Sequence, residues 1–138
     1  MIEQRYSVGR DDYSNAGKVS SQIKSFLKQI GLEPTLLRRI AVACYEAEIN
    51  MIIHSYGGEV LMAMDENALN LTFKDIGPGI PDIQKAMTAG WSTANERARE
   101  FGFGAGMGLP NILRMADSFE LNSSQSGTNL HIAFKVNE

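Results

Sequence analysis

The chain has 138 residues, of which 43% are apolar and 21% charged, and it carries a net charge of −3 at neutral pH. That length fits one domain, residues 1–138, which buries roughly two-thirds of its unfolded surface and needs no disulfide or metal staple. One cysteine excludes a disulfide scaffold, scattered Lys and Arg exclude a basic stripe for nucleic acid, and no apolar run approaches the roughly 20 residues that span a bilayer.

Met1 to Arg5 has no signal-peptide character, so a cytoplasmic protein with no membrane segment is expected. Ile2, Tyr6 and Val8 alternate with polar neighbours and predict a short first strand. Asp11 and Asp12 then offer caps for a helix. Val19, Ile23, Phe26, Leu27 and Ile30 form its apolar stripe, and Gly31 stops it. Pro34 opens a second helix that runs to about His54. It is apolar on most sides and therefore expected to be buried, with Cys44 inside it as an inert thiol.

Residues 60–64 and 69–73 alternate as strands across an Asp65-Glu66-Asn67 turn. The Gly and Pro of Asp75-Ile76-Gly77-Pro78-Gly79-Ile80-Pro81 exclude regular structure there. A short helix from Asp82 to about Ala89 follows, then a segment rich in Gly and charge over 90–108, then a helix from Leu109 to Ala116. A second hairpin pairs Phe119 to Leu121 with Leu130 to Val136 across Ser126-Gly127. The order β-α-α-β-β-α-loop-α-β-β predicts an α/β two-layer sandwich, with a mixed, mostly antiparallel sheet and helices on one face.

Four local patterns could carry chemistry. Glu46 and Asn50 are one helical turn apart and leave the same face of an apolar helix. Burying such groups unpaired costs on the order of 2–7 kcal/mol for the amide alone. Either they bond within the fold, or they face a cavity where Asn binds a hard cation and Glu takes a proton. Glu48 points elsewhere and is expected in solvent, and His54 is a helix-end hydrogen bonder. Asp75 closes a strand before Gly77 and Gly79, as a turn cap or as an acceptor for an exocyclic amine. Gly104, Gly106, Met107 and Gly108 lead into a helix, either as a bare glycine loop or as an anion cradle. Thr128 follows Gly127, as an edge residue or as a hydroxyl beside Asp75.

Taken together in this order, the motifs resemble the GHKL ATP-binding fold of gyrase, Hsp90, MutL and histidine kinases, over about residues 35 to 135. The length leaves room only for the stand-alone branch, the anti-sigma factors and serine kinases of bacterial partner switching (RsbT, RsbW and SpoIIAB). Residues 75–83, with Ala86-Met87 and Gly90-Trp91-Ser92-Thr93, look most like RsbT. The resemblance implies that Asn50 holds Mg²⁺ on the ATP phosphates and that Glu46 is general base for a partner serine. It implies that Asp75 accepts the adenine amine, with Gly77, Gly79 and Thr128 nearby. Gly104, Gly106, Met107 and Gly108 would line the phosphates. The implied partner is a STAS-domain antagonist, with a sigma factor or phosphatase regulator as a further one, and a homodimer is compatible with the family. An insertion over 94–101 departs from the RsbT pattern; its Arg97 or Arg99 reads either as a solvated lid face or as a contact to the γ-phosphate or the partner. Alternative readings are a sequestering anti-sigma factor and a detached histidine-kinase ATPase domain.

Overall fold

The computed structural model describes residues 1–77 and 108–136. The expected 82–89 helix, the 94–101 insertion, Gly79, Gly104, Gly106 and Met107 lie outside the described residues.

Among the described residues the elements are β1 (Ile2–Gly9), a 3₁₀ turn (Tyr13–Asn15), α1 (Lys18–Gln29), α2 (Pro34–His54), β2 (Gly57–Met64), β3 (Ala68–Asp75), α3 (Gly108–Met115), β4 (Ser118–Ser124) and β5 (Gly127–Lys135). The five strands form one sheet in the order β1-β2-β3-β5-β4. All four pairings are antiparallel, so the sheet lies at the antiparallel extreme of the mixed sheet expected from sequence. The reason is connectivity: β2 and β3 form a hairpin, β4 and β5 form another, and β5 inserts beside β3.

Strand alternation sorts the sheet into two faces. Val60, Met62, Met64, Leu69, Leu71, Phe73, Leu130, Ile132 and Phe134 are buried and pack with α1, α2 and α3. Their alternates, such as Leu61, Asn70 and His131, stay partly exposed on the other face. On that face His131 Nε2 lies 2.9 Å from Asn70 Oδ1.

The helix ends follow local chemistry with one exception. At α2 the Glu33 carboxylate accepts from the Thr35 and Leu36 amides, each at 2.9 Å, just before Pro34 starts the turn. Gly31 after α1 has φ +90°, the left-handed conformation that ends helices cheaply only with glycine. The exception is the start of α1, which neither Asp11 nor Asp12 caps. The Asp12 carboxylate accepts from Asn15 Nδ2 at 3.0 Å, and Asp11 Oδ1 accepts from the Tyr13 hydroxyl at 3.2 Å. These local bonds close the 3₁₀ turn instead, and α1 begins several residues later, at Lys18.

Glu48 takes over the capping. Its carboxylate accepts from the amides of Gly17 at 3.1 Å, Val19 at 3.2 Å and Ser20 at 2.9 Å. The residue is only 2% exposed, so the solvated position expected for it is wrong. A buried carboxylate survives here because a helix start presents several free amides and a partial positive charge. Cys44, one turn earlier, is fully buried; desolvation first, and then the Glu48 charge, push its thiol far above the ordinary range. It is therefore the inert core thiol expected.

Candidate functional site

α2 is the common support of the site. Its stretch from Arg39 to Asn50 packs on α3, which runs antiparallel to it through three successive contacts. Arg39 donates from Nε and Nη2 to the Met115 carbonyl, at 3.0 and 2.7 Å, and from Nη2 to Asp117 Oδ1 at 3.0 Å. One and a half to two turns further on, Asn111 hydrogen-bonds the Glu46 carboxylate. One turn beyond that, Asn50 meets Gly108, where a β-carbon would stand 2.9 Å from Asn50 Oδ1 and 3.1 Å from Nδ2. Glycine at the first residue of α3 is what lets the helix start abut the Asn50 amide.

Glu46 and Asn50 thus share one face, as their spacing predicts, and that face meets the start of α3. Both are half-buried. Burial raises the proton affinity of the Glu46 carboxyl above the ordinary glutamate range, and the Asn111 hydrogen bond partly opposes it. Asn111 carried no prediction from sequence. The signal available was its i+3 spacing from Gly108, which puts both on one face of α3.

The second part of the site lies at the C-terminal end of α2. Ser55 Oγ donates to the Met51 carbonyl at 2.6 Å and accepts from the Gly57 amide at 3.0 Å, which turns the chain into β2. The Tyr56 amide donates to the Ile76 carbonyl at 2.7 Å, and the Ile76 amide to the Gly57 carbonyl at 3.0 Å. This ties the segment after β3 to the helix end. A β-carbon on Gly77 would sit 3.2 Å from Ser55 Cα, so the approach there is close.

Asp75 is the last residue of β3. Its Oδ1 accepts from the Thr128 amide at 2.8 Å. Gly127 has φ +154°, and a β-carbon there would stand 2.2 Å from the Asp75 carbonyl, so only glycine lets β5 begin so close to β3. Desolvation raises the Asp75 carboxyl above its ordinary value, and the Thr128 hydrogen bond opposes the rise. The second carboxylate oxygen has no part in that bond. Thr128 Oγ1 lies 2.9 Å from Ser123 Oγ, its cross-strand partner. Ser123 was not anticipated, because its place depends on hairpin register. A shallow groove of about 300 Å³ at this end of the sheet has Asp75, Ser123 and Thr128 among its walls.

The structure therefore gathers Glu46, Asn50 and Gly108 into one cluster, and Asp75, Gly77 and Thr128 into another. Helix α2 spans the two, from Glu46 to Ser55, a rise of about 13 Å at 1.5 Å per residue. His54 lies on the last turn of the helix, where burial lowers its proton affinity below the usual histidine range. Among the described residues no group of three His, Cys, Asp or Glu side chains is arranged to hold a metal.

Residues 10–134 match the model of the histidine kinase-like ATPase domain. The chain belongs to that family. The match begins well before residue 35, where the recognisable motifs start, and so takes in α1. The serine/threonine-protein kinase RsbT of Bacillus subtilis (strain 168) is 32% identical over 104 residues, which cover 72% of each chain. An anti-sigma F factor of Bacillus licheniformis is 29% identical over 119 residues, 80% of this chain and 77% of that one. An anti-sigma F factor of Oceanobacillus iheyensis is 29% identical over 125 residues, 84% and 81% respectively. Within this family, then, the chain is similar to a serine/threonine-protein kinase and to anti-sigma F factors of about its own size. No helix among the described residues is long and apolar enough to cross a membrane.

Proposed function

We propose that this chain is an ATP- and Mg²⁺-dependent serine/threonine protein kinase of a bacterial partner-switching system. Its protein substrate is a STAS-type antagonist, its location is the cytoplasm, and residues 1–138 act as one catalytic domain. The observation that carries the reading is Glu46, a half-buried carboxylate of raised proton affinity, one turn from Asn50 on the helix whose C-terminal end is tied to the residue after Asp75. The 32% identity to a named serine/threonine kinase supports it.

The chemistry follows from these positions. Asp75, desolvated and with one oxygen on Thr128, suits the exocyclic amine of adenine. The Asn50 carbonyl, against the glycine start of α3, suits Mg²⁺, a hard cation that keeps several waters and is bound jointly with phosphates. Held there, Mg²⁺ would supply charge neutralisation at the phosphates. Glu46 accepts the proton of the partner's Ser or Thr hydroxyl. That oxygen then bonds the γ-phosphorus, the bond from phosphorus to the bridging oxygen breaks, and ADP leaves with its electron pair. Gly79, Gly104, Gly106 and Met107 belong to the same reading as phosphate- and base-lining residues.

The test combines titration with transfer. ATP should bind the wild type with magnesium dependence, and Asp75→Asn should lose most of that affinity. Glu46→Ala should keep nucleotide binding and lose phosphorylation of the partner by at least about a hundredfold. Transfer by Glu46→Ala at the wild-type rate would overturn the base assignment.

The similarity to anti-sigma F factors, which covers more of the chain than that to the kinase, favours a second reading. In it the nucleotide gates an interface for a sigma factor and catalysis is slow. Co-purification of a sigma factor that depends on ADP versus ATP would select this reading, and a pull-down empty under both nucleotides would remove it. A homodimer fits either reading, and sedimentation with and without nucleotide decides it.

A further inference from the structure

We propose that Asn111 is a positioning residue that orients the Glu46 carboxylate, with Arg114 setting which way the Asn111 amide faces. The inference deepens the kinase reading above and rests on it for its catalytic consequence.

Gly108, Asn111 and Arg114 follow one another at i+3 along α3 and share a stripe. Arg114 donates from Nη2 to Asn111 Oδ1. A guanidinium has only donors, so the atom of Asn111 that faces it must be the carbonyl oxygen. That leaves Nδ2 to face Glu46, whose ionised carboxylate has only acceptors. The chain Arg114 to Asn111 to Glu46 therefore runs donor to acceptor at each step, and reversing the amide would break both bonds. Each bond defines the orientation of the other, which a lone Asn–Glu contact does not.

The consequence concerns position and proton affinity together. Among the described residues, Tyr45 beside it on α2 is the titratable group coupled to Glu46, and Arg114 on α3 bonds Asn111. Glu48 lies on the side of α2 that caps α1, where its carboxylate accepts from three amides. Asn111 is thus the group that holds the carboxylate toward the start of α3 and opposes the desolvation that favours its protonated form. The same donor favours the ionised form that a general base needs, as well as aiming it.

The experiment reads Glu46 directly, in the nucleotide-free full chain, by following its side-chain carboxyl carbon through a pH titration by NMR, with Glu46→Gln to assign the signal. Asn111→Ala should move the Glu46 midpoint upward by on the order of half to one pH unit. Asn111→Asp, which puts a second carboxylate against it, should move it further up. Alanine suits a helix at this position, so both variants are expected to fold. Superimposable titrations of wild type and Asn111→Ala would overturn the proposal. In the transfer assay Asn111→Ala should lower kcat about tenfold at neutral pH, shift the acid limb upward and leave the KM for ATP within about twofold. If the midpoint moves but the wild type transfers no phosphoryl group, the positioning role stands and the kinase reading fails.

Discussion

Glu48 on α2 and Ser20 on α1 are joined by a 2.9 Å hydrogen bond from the Ser20 amide to the Glu48 carboxylate, 28 residues apart in sequence. With the bonds from Gly17 and Val19, it fastens the start of one helix to the middle of the other. The face of α2 that carries Glu46 and Asn50 is thereby fixed from behind.

Removing that carboxylate leaves buried amides without partners. Glu48→Ala should lower the unfolding free energy by about 3 kcal/mol in urea denaturation. Glu48→Gln keeps one acceptor oxygen and should cost about half as much. A loss below about 0.5 kcal/mol for the alanine variant would mean that water replaces the cap.

Gly108→Ala separates stability from function. The new β-carbon would meet Asn50 Oδ1 at 2.9 Å, but that atom is the tip of a side chain and can swing away. Alanine also favours the helix by up to about 1 kcal/mol. The variant should fold with a midpoint close to wild type, yet lose at least about tenfold in affinity for Mg-ATP because Asn50 is displaced. Calorimetry on the variant that gives unchanged magnesium-dependent binding would show that Asn50 has no part in holding the nucleotide.

Asp117 gives a pH signature. Its carboxyl is held below the usual aspartate range, first by the Lys135 amide and then by the Arg39 guanidinium. A lowered folded value means that the unfolded chain binds the proton more tightly. The stabilisation is complete above the unfolded value near 3.8 and fades as pH falls through the lower folded value. Asp117→Asn should cost no more than about 1 kcal/mol at pH 7, since water screens this partly exposed group. Thermal melts of the two proteins should differ above the unfolded value near 3.8 and draw together as pH falls below it. A gap that stays constant as pH falls through that range and on to the acid limit of the melts would remove Asp117 from the acid response.

Local sequence chemistry determined most of the elements. The stripe of α1, the length of α2 from Pro34 to His54 and the Asp65 turn all follow from interactions within a few residues. The turn shows why: Asp65 Oδ1 accepts from the amides of Asn67 and Ala68, at 2.8 and 2.9 Å, inside the segment itself. The shared face of Glu46 and Asn50 was equally legible, because helical period alone places them together. The same period put Glu48 on another face but could not say what covers that face. The tertiary structure covers it with the start of α1, turning an expected surface carboxylate into a buried cap, while Asp11 and Asp12 spend their oxygens locally. Asn111 against Glu46, Ser123 against Thr128 and Arg39 against Met115 were likewise decided by helix docking and strand register. Periodicity states which side chains leave an element together; only packing brings the second element that gives a polar side chain its partner.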